Sequence, residues 1–241
     1  MARQPRLVVP DIALHVVQRG VDRNDCFRED TDRLVYLTLL RDFSATTGCS
    51  IHAYCLMTNH VHLLLTPTAA SGPASLMYRI GQRYVPYFNR RYGRTGTLWE
   101  GRFKSCLVDS ARYVLGCYRY IELNPIEAGM VAAPASYPWS SYCGNAGMAE
   151  NKLLHPHPEY EALGCDSASR HAAYRRLFEP AIDASLLKAI RAATLGGYPL
   201  VDDNLKARLA AQTKRSLQPG KPGRRSPAAP ERDPITHDLG L

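Results

Sequence analysis

The 241-residue sequence contains no apolar run approaching the 18 residues that a membrane-spanning helix needs. Residues 1–10 carry Arg3 and Arg6 but no apolar stretch of the kind a secretory leader has, so the expectation is a cytoplasmic protein without a membrane partner. There is no CxxC pair. The seven cysteines (Cys26, Cys49, Cys55, Cys106, Cys117, Cys143 and Cys165) are odd in number and scattered, which excludes a zinc ribbon and a disulfide framework. They read as small buried hydrophobes. No GxxxxGK[ST] run is present, which argues against a fused P-loop motor. Acidic residues are in the minority, 22 against 30 Lys and Arg, giving a net charge of +8 and a pI near 9.2. That balance points to a polyanionic partner, nucleic acid before a membrane surface.

Enough apolar residues remain, 45% of the chain, to bury a sizeable core. Residues 11–20 form a β-branched run ending in Gly20, a strand by composition. Leu34, Leu37, Leu40 and Phe43 predict a helix over 29–47, with Asp30 or Thr31 as N-cap and Gly48 as its close. Two apolar runs, 51–57 and 61–65, flank Thr58-Asn59 and predict a hairpin. A basic helix over 76–92 follows, then a partly extended stretch over 98–108. A further helix over 110–124 is stopped by Pro125. Helix, hairpin and helix in this order predict an α+β fold, an antiparallel sheet with helices on one face. The division expected is a domain over 1–145, a helical extension over 146–213 and a disordered tail over 214–241. Residues 143–166 read as loop and helices are expected over 167–178, 183–194 and 201–213. The tail is rich in proline and basic residues, with too little apolar surface to fold.

Three features carry chemistry. In Asn59-His60-Val61-His62-Leu63-Leu64-Leu65, strand alternation sets His60 and His62 on one face, about 6–7 Å apart, where two imidazoles can converge on a metal. A pair of half-exposed strand histidines is the reading that the pattern alone leaves open. His155-Pro156-His157 has the same spacing but lies between prolines in a loop and is not read as a site. On the helix over 110–124, Val114, Tyr118 and Ile121 share an apolar face, so Tyr118 is core. Tyr120 and Asn124, one turn apart, flank that face together. Alone, they also fit a partly exposed tyrosine and an asparagine that ends a helix. The segment 79–112 sets Arg79, Arg83, Arg90, Arg91, Arg94, Arg102, Lys104 and Arg112 against Glu100 and Asp109. Tyr84, Tyr87, Phe88, Tyr92, Trp99 and Phe103 lie among them. Cations for phosphates and rings for bases suit a single-stranded nucleic-acid groove; a solvated basic helix with its rings in the core fits too.

Taken together these segments resemble the HUH single-tyrosine transposases. The resemblance is carried by His15-Val16-Val17-Gln18-Arg19-Gly20, by Ala53-Tyr54-Cys55-Leu56-Met57-Thr58-Asn59-His60-Val61-His62-Leu63-Leu64, and by Gly96-Thr97-Leu98-Trp99-Glu100-Gly101-Arg102-Phe103. It ends on Arg119-Tyr120-Ile121-Glu122-Leu123-Asn124-Pro125-Ile126-Glu127-Ala128-Gly129, which is closest to the REP-associated tyrosine transposases. It covers roughly residues 8–142. One departure is Thr58, where the family often has proline.

The resemblance implies a ferredoxin-like or RRM-like antiparallel sheet backed by helices. It implies His60, His62 and Asn124 as ligands of Mg²⁺ or Mn²⁺, and Tyr120 as the nucleophile that forms a 5′-phosphotyrosine. Softness alone would also admit Zn at two imidazoles. The partner implied is DNA, single-stranded or hairpin-forming palindromic repeats; the groove expected for it from the basic, aromatic segment includes Arg79, Arg83, Arg90, Arg91, Arg94, Trp99, Arg102 and Lys104. It also implies a cytoplasmic, nucleoid-associated location and admits a homodimer. In some relatives the tyrosine helix is exchanged between partners; in the REP-associated branch one chain builds the site. A replication or relaxation initiator of the same class, and a non-catalytic DNA-binding regulator, are the other readings.

Overall fold

The computed structural model describes residues 5–213 and Leu217. The expected disorder of the tail lies otherwise outside the described residues. Strand β1 (Ala13–Arg19) carries Leu14 and Val16 on one face and Ala13, His15 and Val17 on the other. Helix α1 (Asp30–Thr46) lies within the predicted 29–47, but its N-cap is Glu29, in a reciprocal box with Asp32, rather than Asp30 or Thr31. Strands β2 (Cys49–Leu56) and β3 (His60–Pro67) form the expected hairpin, closed by Met57 N–H donating to His60 O at 2.9 Å. Thr58 is accommodated in the turn, its carbonyl accepting from Cys26 and Phe27.

Helix α2 (Gly72–Arg91) keeps Pro86 in its interior and buries Leu76, Ile80, Tyr84 and Phe88. Strand β4 (Lys104–Val108) is the regular part of the extended stretch, and helix α3 (Ala111–Glu127) follows it. Pro125 does not stop α3, contrary to expectation. It lacks the N–H that would reach back to Ile121, and the Asn124 side-chain amide donates instead, to Tyr120 O at 2.6 Å and Ile121 O at 3.5 Å. The stretch read as loop holds two single turns, α4 (Tyr142–Asn145) and α5 (Pro158–Glu161). The three later helices are α6 (Ser167–Arg176), α7 (Ala184–Gly196) and α8 (Asp203–Gln212).

The sheet is antiparallel throughout, ordered β2-β3-β1-β4. Helices α1 and α2 cover the face built from Leu14, Val16, Ile51, Leu63 and Leu65. The opposite face is also apolar, with Ala13, Ala53, Cys55, Leu64 and Cys106, and α3 and α7 cover it. Helices therefore flank both faces, where the sequence reading had one. A sheet apolar on both sides must be covered twice. Two buried acids tie helices together. Asp32 accepts from Tyr87 and Tyr92 of the α2 side at 2.9 and 2.8 Å. Burial alone would raise its pKa, but these bonds and two backbone N–H bonds outweigh that and hold it low. Glu122 of α3 accepts from Ser141, Asn145 and Tyr174 at 2.5, 2.8 and 2.6 Å, fixing α4 and α6 to α3.

Candidate active site

The face under α3 and α7 opens at one end into a cavity of about 320 Å³. Register puts Val17 opposite His62 and Arg19 opposite His60. His60, His62 and His15 therefore project from adjacent strands toward α3. Gly20 is required where β1 leaves the sheet, since a Cβ there would lie 2.2 Å from Asn24 O. Tyr120 and Asn124 line the same cavity from α3, and one chain furnishes all of these groups. The Tyr120 ring meets His62 and His15 edge-on, with centroids 5.4 and 5.6 Å away, and His60 and His62 are 4.9 Å apart. Tyr120 is largely buried rather than partly exposed, and Tyr118 is fully buried against Tyr160 and Tyr174.

Hydrogen bonds fix which nitrogens face the cavity. Thr194 of α7 donates its hydroxyl proton to Ile190 O at 2.8 Å, so its oxygen accepts from His15 Nδ1 at 2.8 Å. His15 Nε2 is then the acceptor for His62 Nδ1–H at 3.1 Å. Beside the other imidazole, Asn59 donates its amide to Arg23 O, and its carbonyl oxygen accepts from His60 Nδ1 at 2.6 Å. Both imidazoles are thereby held in the tautomer whose Nε2 carries a lone pair. Burial keeps them neutral. His15 is lowered to about 3, and His60 to about 4 with help from Arg19. His62 lies well below its ordinary value through burial and its neighbours His60, His15, Arg19 and Arg191.

Asn124 commits its amide hydrogens to the helix backbone, which leaves Oδ1 as its donor atom for a cation. Two neutral imidazoles and one amide oxygen on one cavity wall fit a divalent ion chemically. Among the described residues no three His, Cys, Asp or Glu side chains gather as a metal cage, so such an ion would complete its shell from water and substrate. Arg19, Arg102, Lys104 and Arg191 line the cavity against Glu100 alone, a wall suited to a phosphate.

The predicted groove residues separate. Arg102 and Lys104 line the cavity. Arg83, Arg90 and Arg91 line a shallow groove on α2 with Tyr87, and Arg91 also pairs with Glu29. Arg79 is bonded to Thr46 and lies over Phe43, while Arg94 lies over Phe88. Trp99 is a correction: its ring stacks on Tyr84 at 6.1 Å inside the core, with Tyr36 nearby, and is not offered to a base. Tyr84, Phe88 and Phe103 are buried likewise. His155 and His157 are structural, as expected: one offers its carbonyl to His52, the other caps α5.

Sequence reasoning assigned no role to His15, Asn59, Thr194 or Arg191. The first two lie inside the runs that carry the resemblance. The others sit on α7, where no local pattern marks them.

The model of a family described as IS200-like transposases matches residues 8–124. The fold of the chain is similar to that of a REP-associated tyrosine transposase bound to a REP hairpin, at 13% identity and a TM-score of 0.50, covering 66% of this chain and 93% of that one. A protein of Deinococcus radiodurans R1 named as a transposase is matched at 19% identity and a TM-score of 0.36, over 55% of this chain and 100% of that one. No curated protein matches the sequence. Among the described residues no helix is long and apolar enough to cross a membrane.

Proposed function

We propose that the chain is a metal-dependent single-strand DNA endonuclease and strand transferase acting on hairpin-forming repeats. The observation that carries this reading is the approach of the Tyr120 ring to His62 within one cationic cavity. Tyr120 Oη attacks the scissile phosphorus, the bond from phosphorus to the 3′-oxygen breaks, and that oxygen leaves with a proton as a 3′-hydroxyl. The DNA is held as a 5′-phosphotyrosine whose bond energy is conserved for rejoining. Mg²⁺ or Mn²⁺, bound through His60, His62 and Asn124, would polarise the phosphate. Cations of the cavity wall orient the backbone for in-line attack. Similarity to a transposase bound to a REP hairpin supports hairpin DNA as the substrate form.

The test uses labelled hairpin oligonucleotides with randomised single-stranded flanks, with Mn²⁺ or Mg²⁺ supplied. Wild type should form a covalent adduct that disappears in EDTA. Tyr120→Phe should bind DNA and form none, whereas Tyr118→Phe should form it. Adduct formation by Tyr120→Phe, or undiminished cleavage in EDTA, would overturn the assignment.

A further inference from the structure

Helix α7 lies outside the family-matched segment, yet it closes the cavity. It reaches α3 over Gly116, where a Cβ would come within 2.9 Å of Leu186. Two of its side chains, one turn apart, face the site. Thr194 is buried and ends the hydrogen-bond chain through His15 to His62. Arg191 lines the cavity with its guanidinium carbon 5.9 Å from the Tyr120 ring centroid. Glu127, three residues beyond Asn124 on α3, holds that guanidinium at 2.5 Å. The Arg191 side chain is half exposed, and a pair of that kind is worth only about 0–1 kcal/mol, so it yields readily to a stronger anion.

We propose that Arg191 is a further catalytic residue, one that takes the non-bridging oxygens of the scissile phosphate beside Tyr120, exchanging Glu127 for the DNA. The inference rests on the reading of Tyr120 as nucleophile. A planar guanidinium matches two phosphate oxygens at once. In phosphoryl transfer, charge gathers on those oxygens, and a fixed cation there stabilises the transition state more than the bound substrate. Glu127 has the complementary part: it keeps the guanidinium parked at the phenol until an anion arrives. The C-terminal helices thus complete the chemistry of the family-matched sheet.

The decisive experiment compares wild type, Arg191→Ala and Arg191→Lys on a hairpin that wild type cleaves, with either a phosphodiester or a methylphosphonate at the scissile position. On the diester, Arg191→Ala should slow single-turnover adduct formation about 100-fold. Arg191→Lys should recover part of that, and DNA affinity should change little. On the methylphosphonate the charge is gone, so wild type and Arg191→Ala should react at similar rates. Equal loss on both substrates, or no loss on the diester, overturns the proposal. Failure of the nucleophile reading is seen separately, as an adduct that survives Tyr120→Phe or never forms. A measurement without turnover then decides Arg191: in the Tyr120→Phe protein, its guanidinium ¹⁵N resonance should move on titration with a 20-nucleotide oligo(dT). An unmoved resonance overturns it.

Discussion

His62 presents Nε2 to the cavity because His15 accepts its other proton, and His15 can do so because Thr194 accepts from it in turn. Removing either end frees the imidazole to adopt the wrong tautomer. His15→Ala and Thr194→Val should therefore each weaken Mn²⁺ binding about 10- to 100-fold, read by titration calorimetry on the folded protein. His52→Ala, whose ring bonds Thr66 and His155 O away from the cavity, should leave it unchanged. Loss of Mn²⁺ affinity in the His52 variant alone would place the cation elsewhere. Tyr120 shows a balance of another kind. Burial pushes its phenol up, hydrogen bonding and charge from Arg191 pull it back, and Glu127 pushes it up again.

Two elements, α2 and α7, carry cations of the proposed DNA-binding surface. On α2, Arg83 and Arg90 stand in an exposed groove beside Tyr87. Replacing both with glutamine should flatten the slope of log K against log salt on single strands by about 1.4. An unchanged slope would assign backbone binding to the cavity wall instead. On α3, Gly116 sets how closely α7 approaches. Gly116→Ile should drive α7 outward and cut adduct formation at least about 10-fold through Arg191 and Thr194, with little change in the circular dichroism of the sheet. Normal activity in that variant would show that α7 is not needed for cleavage.

Across the whole molecule, burial of imidazoles sets a pH dependence. His15, His52 and His60 are lowered from 6.5 to about 3, 4 and 4, and burial and neighbouring cationic groups hold His62 well below its ordinary value. Between about pH 4 and 6.5 the unfolded chain binds more protons at these positions than the folded one, so stability rises with pH there and is full above 6.5. Glu122 acts oppositely. Burial raises it from 4.5 to about 7, against its hydrogen bonds, so its contribution is full at low pH and is lost as pH rises to 7. Four imidazoles outweigh one carboxyl. Unfolding by urea should give a stability at least about 2 kcal/mol lower at pH 5 than at pH 7; a flat profile would mean that the histidines are hydrated. Glu122→Ala should cost about 3 kcal/mol by leaving three donors unpaired, whereas Glu122→Gln should retain more of the stability and lose the opposing slope.

Local pattern by itself determined the strands, the hairpin at Thr58-Asn59, the longer helices and the placing of His60 with His62 on one strand face and of Tyr120 with Asn124 on one helix face. Each depends on the alternation of a strand or the turn of a helix, which neighbours in sequence specify. Where a second partner decides the outcome, local pattern fell short. Pro125 continues a helix because the Asn124 side chain supplies the missing donor, and Trp99 turns inward because Tyr84 and Tyr36 receive it. Only the tertiary structure brought Thr194 to His15 across 179 residues of sequence, and Arg191 to Tyr120 across 71. Those pairings arise because both faces of the sheet are apolar and α7 must cover what α3 leaves open, a requirement that no single segment encodes.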